Sequence, residues 1–143
     1  MPALIKRVSD LRLEGPTIDI TIFPPAPVIQ DYRNRNLQIP FKNGVGLIDS
    51  GASNSCIDIS IATELGLVSR DFVSVLTPSG TSNHYTYDVL IMLPQQLELK
   101  SFFVEVTGAD LTLQPYDVLI GRDVLAACTF IYNGWDNSFQ LHI

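Results

Sequence analysis

The sequence predicts a small, mostly β fold, a barrel or a sandwich with one or two short helices. Apolar residues alternate with polar ones in several short runs, which is typical of strands that bury one face. Clusters of Gly, Pro, Ser and Asn separate these runs, as in proteins built from hairpins. With 143 residues, of which 46% are hydrophobic, the chain has the size and composition of one globular domain.

The first half of the chain contains three strand patterns. TIDITIF (17–23) alternates isoleucine with polar residues and predicts a half-buried strand. LQIPF (37–41) and GVGLID (44–49) predict two strands joined at Asn43-Gly44, because Asn-Gly favours a tight hairpin turn. SIATELGL (60–67) predicts a short helix or turn.

The second half of the chain is also rich in strand patterns. Strands are predicted at DFVSVLT (71–77), HYTYDVLIML (84–93), LELKSFFVEVT (97–107) and YDVLI (116–120), with a closing hairpin at TFIYNGWDNSFQLHI (129–143). PSGTSN (78–83) predicts a hairpin tip between the first two of these strands. RDVLAAC (122–128) has Ala and Leu at helical spacing and predicts a short helix.

Charge and composition exclude several classes of function. The formal net charge is −6, and the nine Lys and Arg residues are scattered, so no basic stripe suits nucleic acid or an anionic membrane. No apolar run approaches the ~18 residues of a membrane span, and the N-terminus lacks the apolar core of a signal peptide. We therefore expect a soluble, cytoplasmic protein without nucleic-acid or membrane partners. Cys56 and Cys128 are expected to be buried small hydrophobes, not a disulfide.

The stretch LIDSGAS (47–53) places a carboxylate where an apolar strand ends. Asp49 follows two aliphatic residues, and Ser50-Gly51 supplies a hydroxyl and a permissive backbone for a tight turn around the carboxylate. An ordinary turn in which an aspartate caps its own backbone has the same pattern. The motif alone therefore leaves a functional and a purely structural interpretation open.

A second motif, YDVLIGRDVL (116–125), is an apolar run followed by a glycine and a short helix. This pattern fits a strand that passes beneath the first one, with Gly121 where the two backbones come close. Asp123 is expected to cap the start of the helix.

Together and in this order, the two motifs resemble the retropepsin-like aspartic proteases, the single-lobed relatives of pepsin found in retroviruses, retroelements and some bacteria. The resemblance rests on LIDSGAS, TPSGT and LIGRDVL and covers roughly residues 37–132. It implies a single domain, residues 1–143, with a small closed β-barrel of the acid-protease type. Residues 1–36 would form an extra N-terminal strand and loop, with the Pro-rich and polar stretch 24–36 as the loop.

The resemblance implies an aspartic endopeptidase with Asp49 as its catalytic aspartate. No other Asp of the chain is followed by Ser/Thr-Gly, and the chemistry needs two carboxylates. The implied solution is a homodimer in which Asp49 and its copy share one proton and activate a water against a peptide or protein substrate. Neither a metal nor a cofactor is implied, and no Cys/His pair has ligand spacing for zinc.

The residues after Asp49 have implied roles of their own. Ser50 would bond across the dimer axis and Gly51 would accept a substrate N–H. Ala52 and Ser53 would line the substrate subsites. Many retroviral enzymes have an Asp at the position of Ser53, where it pairs with the motif's arginine, so the arginine of this chain must find another partner.

Two further segments are matched to the family. Ser79 and Gly80 would form a flap that folds over an extended peptide. Gly121, Arg122 and Asp123 would be structural residues that tie the helix to the active-site loop.

Two other hypotheses remain open at this point. The first is a retropepsin-fold module that no longer cleaves and instead dimerises or binds a peptide strand. The second is an unrelated small β-barrel in which Asp49 only caps a turn.

Overall fold

The computed structural model describes residues 1–143 and contains ten strands, four short α-helices and one 3-10 turn. The strands are β1 (Ala3–Arg7), β2 (Thr17–Phe23), β3 (Lys42–Ile48), β4 (Cys56–Asp58), β5 (Asp71–Thr77), β6 (Gly80–Met92), β7 (Ser101–Ala109), β8 (Val118–Ile120), β9 (Thr129–Asn133) and β10 (Ser138–His142). The helices are α1 (Leu11–Glu14), α2 (Ala26–Asn34), α3 (Ile59–Glu64) and α4 (Arg122–Leu125), and the 3-10 turn is Gln95–Leu97. None of these helices combines the length and the apolar character needed to cross a membrane. The predicted mostly β class is confirmed, with more short helices than expected.

Six strands pair into a ring in the order β2, β3, β8, β4, β7, β6, and β6 pairs back with β2 from Thr21↔Met92 to Phe23↔Leu90. β3 and β8 run parallel, from Gly46↔Val118 to Ile48↔Ile120. The carboxyl ends of parallel neighbours lie at the same edge of a sheet, so the two sequence motifs end side by side. β5 pairs with β6 alone and forms a hairpin that is attached to the ring.

The core lies inside this ring. Side chains of β2 alternate between its two faces, and its isoleucines all lie on the face towards the core. Ile18, Ile20 and Ile22 are each at most 3% exposed, whereas Asp19 between them is exposed. Each isoleucine buried in this way contributes roughly 1.5–3 kcal/mol relative to an exposed one. Other strands contribute to the same cluster through Ile48, Ile57, Val89, Ile91, Val106, Val118 and Ile120.

A second, three-stranded sheet joins the two ends of the chain in the order β1, β10, β9. Leu4 of β1 lies opposite Leu141 of β10, and both are buried together with Phe139. The sequence interpretation assigned no strand to β1, because ALIKR is too short to show a clear alternation. The hairpin predicted at 129–143 is confirmed as β9 and β10.

The loop predicted at 24–36 is wrong, because this stretch contains helix α2. Pro25 occupies the N-cap position and Pro27 lies in the first turn, where the missing backbone N–H leaves no hydrogen bond unmade. Ile29 is the one buried residue of this helix. Pro25 and Pro27 therefore indicate the N-terminus of a helix, not a loop.

The strand predicted at 37–41 and its turn at Asn43-Gly44 are also wrong, because β3 continues straight through these two residues and pairs with β2. Gly44 is required there by packing. A Cβ at Gly44 would lie 2.8 Å from the Oδ2 atom of Asp117, and that oxygen accepts a hydrogen bond from the Val45 N–H at 2.8 Å. The glycine thus admits the Asp117 carboxylate to the backbone of the strand.

Candidate active site

Asp49 is the first residue after β3 and is half-buried. Its N–H donates to the carbonyl of Ile120 at 2.9 Å, which extends the parallel ladder between β3 and β8 by one bond. Its Oδ1 atom accepts a hydrogen bond from the Gly51 N–H at 2.9 Å, and its Oδ2 atom has no hydrogen-bond partner in the chain. The turn therefore fixes one carboxylate oxygen and leaves the other available.

The loop after Asp49 is held by Arg122 at two points. The Arg122 guanidinium donates from Nη1 to the Ser50 carbonyl at 2.7 Å, and its backbone N–H donates to the Ala52 carbonyl at 2.8 Å. Ser50, Gly51 and Ser53 remain exposed. The sequence analysis required a partner for Arg122 other than residue 53. That partner is the backbone of the loop, so no carboxylate is needed at position 53.

Gly121 is buried where the two motifs touch, as predicted. A Cβ at this position would lie 2.7 Å from the backbone carbon of Asn54 and 3.0 Å from the Ala52 carbonyl oxygen. The opposing atoms belong to the backbone, so they do not move aside as a flexible side chain does. Only glycine allows this close approach.

Ser55 and Asp123 form a buried hydrogen-bond network beneath the loop. Ser55 is fully buried, its N–H donates to the Oδ2 atom of Asp123 at 2.9 Å, and its hydroxyl donates to Oδ1 at 2.7 Å. The Ser55 hydroxyl in turn accepts a hydrogen bond from the Gly121 N–H at 2.9 Å. Asp123 also accepts from the Val124 N–H at 2.9 Å, while Gly121 occupies the N-cap position of α4. The prediction that Asp123 caps the helix is therefore wrong, because it lies one residue inside α4, where its carboxylate joins the first turn to the Asp49 loop.

Sequence reasoning missed Ser55. Three serines lie within six positions, at 50, 53 and 55, and nothing in their local pattern distinguishes the buried one. Tertiary packing against Asp123, 68 residues later in the chain, identifies it.

We expect Asp123→Ala to destabilise the fold by about 2–4 kcal/mol, because it leaves the buried N–H and O–H donors of Ser55 without their acceptor. Urea denaturation followed by circular dichroism measures this loss. Asp31→Ala is the matched control, since it removes only an exposed ion pair on α2 and is expected to change stability by less than about 1 kcal/mol. Equal unfolding midpoints for the two variants would contradict the structural role of Asp123.

The β5–β6 hairpin turns at Pro78-Ser79, since Thr77 pairs with Gly80 across the turn. Gly80 has φ of +125°, a conformation that residues with a Cβ rarely adopt. The Thr77 hydroxyl donates to the Gly80 carbonyl at 2.8 Å and closes the tip. The predicted hairpin is confirmed, with a tip shorter than 78–83.

A cleft of about 440 Å³ separates this hairpin from the loop that follows Asp49. Its lining residues are Ser53 and Asn54 of the loop, 73–76 of β5, and Thr86, Glu105 and Thr107 of β6 and β7. Of the residues predicted to contact substrate, Ser53 borders this cleft, whereas Gly51, Ala52, Ser79 and Gly80 do not. The structure thus places one side of an open groove against the Asp49 loop.

Both cysteines are unpaired, as predicted, although they are half-buried and not fully buried. Burial raises the pKa of the Cys56 thiol, and the nearby charges of Asp123 and Asp49 raise it further. Burial also raises the pKa of the Cys128 thiol. Both thiols therefore stay protonated at neutral pH, which does not suit a cysteine nucleophile.

The sequence matches no protein-family model and no curated protein. Among solved structures, it is similar to a retropepsin-like aspartic protease from Rickettsia conorii, with 15% identity and a TM-score of 0.51 over 97% of this chain and 92% of that chain. It is also similar to EIAV protease complexed with the inhibitor HBY-793, with 17% identity and a TM-score of 0.53 over 84% of this chain and 93% of that chain. The chain therefore has the retropepsin-like fold expected from its two motifs.

Proposed function

We propose that this chain is an aspartic endopeptidase that acts as a homodimer on extended peptides with apolar residues around the cleaved bond. The observation that carries the proposal is the Asp49 carboxylate, which a backbone amide holds by one oxygen at the end of a strand, within the retropepsin-like fold. The other oxygen makes no hydrogen bond within the chain. It is therefore available to a second carboxylate and a water.

The chemistry requires two copies of Asp49, because the chain has a single Asp-Ser-Gly sequence. Across a two-fold axis, the two carboxylates share one proton, since two adjacent negative charges repel strongly. The ionised Asp49 takes a proton from the water as its oxygen attacks the peptide carbonyl carbon. The protonated Asp49 donates to the carbonyl oxygen. Proton transfer to the amide nitrogen then accompanies cleavage of the C–N bond.

The surrounding hydrogen bonds support this mechanism by fixing the geometry of the loop. Arg122 binds the carbonyls of Ser50 and Ala52, and Asp123 binds Ser55 from below, so both ends of the loop are anchored to one helix. The Ser50 hydroxyl makes no hydrogen bond within the chain, which leaves it free to bond across the dimer axis. Positions held in this way lower the cost of arranging the reacting groups.

A dimer surface is available close to the site in sequence and structure. α4, which is bonded to the Asp49 loop, leads directly into β9, and β9 pairs with β10 on one side only. Ile131 and Tyr132 of β9 are exposed, and the following turn exposes the single tryptophan, Trp135, at 98%. Unpaired strand edges readily pair with another chain. We propose that β9 pairs antiparallel with its copy, which would join the two three-stranded sheets into one.

The β5–β6 hairpin would act as the flap. Its tip at Ser79-Gly80 is exposed, and nothing lies within 4 Å of a Cβ built on Gly80, so the space beside the tip is open. An extended peptide between this hairpin and the Asp49 loop would add main-chain hydrogen bonds and exclude water.

Digestion of a peptide library between about pH 4 and 7 tests the proposal, with sedimentation to determine the oligomeric state. We expect cleavage by a dimer, with a bell-shaped dependence of kcat/KM on pH that reflects one shared proton. The second candidate function is a peptide-binding module without turnover, which the exposed hairpin and cleft also favour. A stable dimer that cleaves no peptide and ignores a transition-state analogue would support that module.

A further inference from the structure

The cleft between the Asp49 loop and the β5–β6 hairpin contains one charged side chain, Glu105 of β7. The other lining side chains are hydroxyls, one amide and aliphatic groups. A carboxylate in such a position gives the cleft a chemical preference, because no other lining residue has a charge. The contacts of Glu105 show how much of that charge is available.

Glu105 uses only one of its two carboxylate oxygens within the chain. Its Oε2 atom accepts a hydrogen bond from the Thr86 hydroxyl at 2.8 Å and lies 3.8 Å from the Nε atom of Arg70. Its Oε1 atom accepts no hydrogen bond. Glu105 lines the cleft, and its side chain is 41% exposed.

Arg70 neutralises the Glu105 carboxylate only in part, because it binds another acid more closely. Its Nη1 atom binds Asp88 at 3.0 Å, a shorter distance than that to Glu105. The pKa of Arg70 is raised, first by its hydrogen bond to Asp88 and the charge of Asp88, and then by the charges of Glu105 and Asp71. Asp88 and Glu105 thus share one guanidinium, so Glu105 keeps part of its negative charge.

We propose that this cleft is a substrate subsite that selects a basic side chain, lysine or arginine, through the free Oε1 atom of Glu105. The inference deepens the proposed peptidase function and rests on it. The aliphatic stem of the substrate side chain would lie along the half-buried Val73 and Val75 while its cationic end reaches Glu105. Because Ser53 and Asn54 border the same cleft, the selected residue lies to one side of the cleaved bond, next to the apolar residues expected there.

The size of the preference follows from the exposure of Glu105. An ion pair with a partly exposed carboxylate is weak and is screened by salt. We therefore expect kcat/KM to be about fivefold higher for a peptide with lysine at the selected position than for its glutamine counterpart, with a smaller ratio in about 1 M salt.

Matched lysine and glutamine peptides, with the substitution moved along the sequence, test the subsite. The readouts are kcat/KM with the parent protein and the binding of fluorescent peptides to Asp49→Asn, which does not depend on cleavage. The preference should disappear in Glu105→Gln and reverse towards acidic peptides in Glu105→Lys, and thermal unfolding confirms that both variants are folded. Glu98→Gln is the matched control, since Glu98 is exposed and lies outside the cleft, and it should keep the parent preference.

The outcomes separate this inference from the proposed function. Cleavage without a preference for basic peptides, or with a preference that Glu105→Gln retains, overturns the subsite and leaves the peptidase standing. Absence of cleavage together with charge-selective binding that depends on Glu105 supports the subsite and overturns the peptidase. Absence of both cleavage and charge-selective binding overturns the subsite and the peptidase.

Discussion

Asp49→Asn is expected to lower kcat/KM for peptide cleavage by at least about a thousandfold, with the fold and the dimer retained. Asparagine keeps the shape of the side chain and can still accept the Gly51 N–H through its amide oxygen. It cannot ionise, so a dimer of this variant has no group that takes a proton from water. Initial rates on a peptide selected from the library measure the loss.

Asp19→Asn is the matched control for this experiment. Asp19 is exposed on β2 and has neither a hydrogen bond through its side chain nor an ion pair, so the same chemical change there should leave cleavage within about twofold of the parent. An Asp49→Asn protein that cleaves as fast as the parent would remove the basis of the proposed mechanism.

Mixing the parent with Asp49→Asn adds a test of the shared site. A mixed dimer has only one of the two carboxylates that the mechanism requires. If subunits exchange, an equimolar mixture contains about one quarter parent homodimers, and activity per parent chain should fall to about half. A chain that works alone would keep its full activity in the same mixture. The mixture therefore distinguishes a site built by two copies from a site within one.

The two motifs could be located from sequence because each has an unusual local constraint. An aspartate after two aliphatic residues, followed by a small residue and a glycine, is rare, and the structure shows the turn that this combination allows at Asp49. Gly121 was predicted as a point of close backbone approach, and its neighbours leave no room for a side chain. These features depend on a few consecutive residues, which is why sequence reasoning reaches them.

The features that sequence reasoning missed depend on residues far apart in the chain. Gly44 resembles a hairpin-turn residue in the sequence. Its actual role depends on the Asp117 carboxylate, which packs against it and accepts the N–H of Val45, 72 residues earlier in the chain. Ser55 looks like its neighbouring serines until Asp123 pairs with it. Strand β1 is recognisable only through its pairing with β10 at the other end of the chain. Tertiary contacts determine each of these and override the local signal.

Ile131→Lys is expected to convert the dimer to monomers and to lower kcat/KM by at least about a hundredfold at micromolar protein. Ile131 is the central residue of β9, which spans Thr129–Asn133. In a symmetric antiparallel pair, the central residue lies opposite its own copy, so the variant places two cations against each other. Like charges directly opposite each other destabilise a pair of strands. Sedimentation and rates measured over a range of protein concentrations follow both effects.

Ile5→Lys is a close control for this prediction, because the structure places Ile5 and Ile131 in one row. Both pair with Gln140, from opposite sides of the three-stranded sheet, and both are exposed at its two edges. The same charge on the β1 edge should leave the dimer and its activity intact. Under the proposed mechanism active sites form only from pairs, so the rate of Ile131→Lys should rise with the square of protein concentration, whereas that of Ile5→Lys should rise linearly. If the rate of Ile131→Lys rises linearly with protein concentration and equals that of the parent, the dimer contact lies elsewhere. If Ile5→Lys and Ile131→Lys lose activity equally, the added charge disrupts the three-stranded sheet and not specifically its β9 edge.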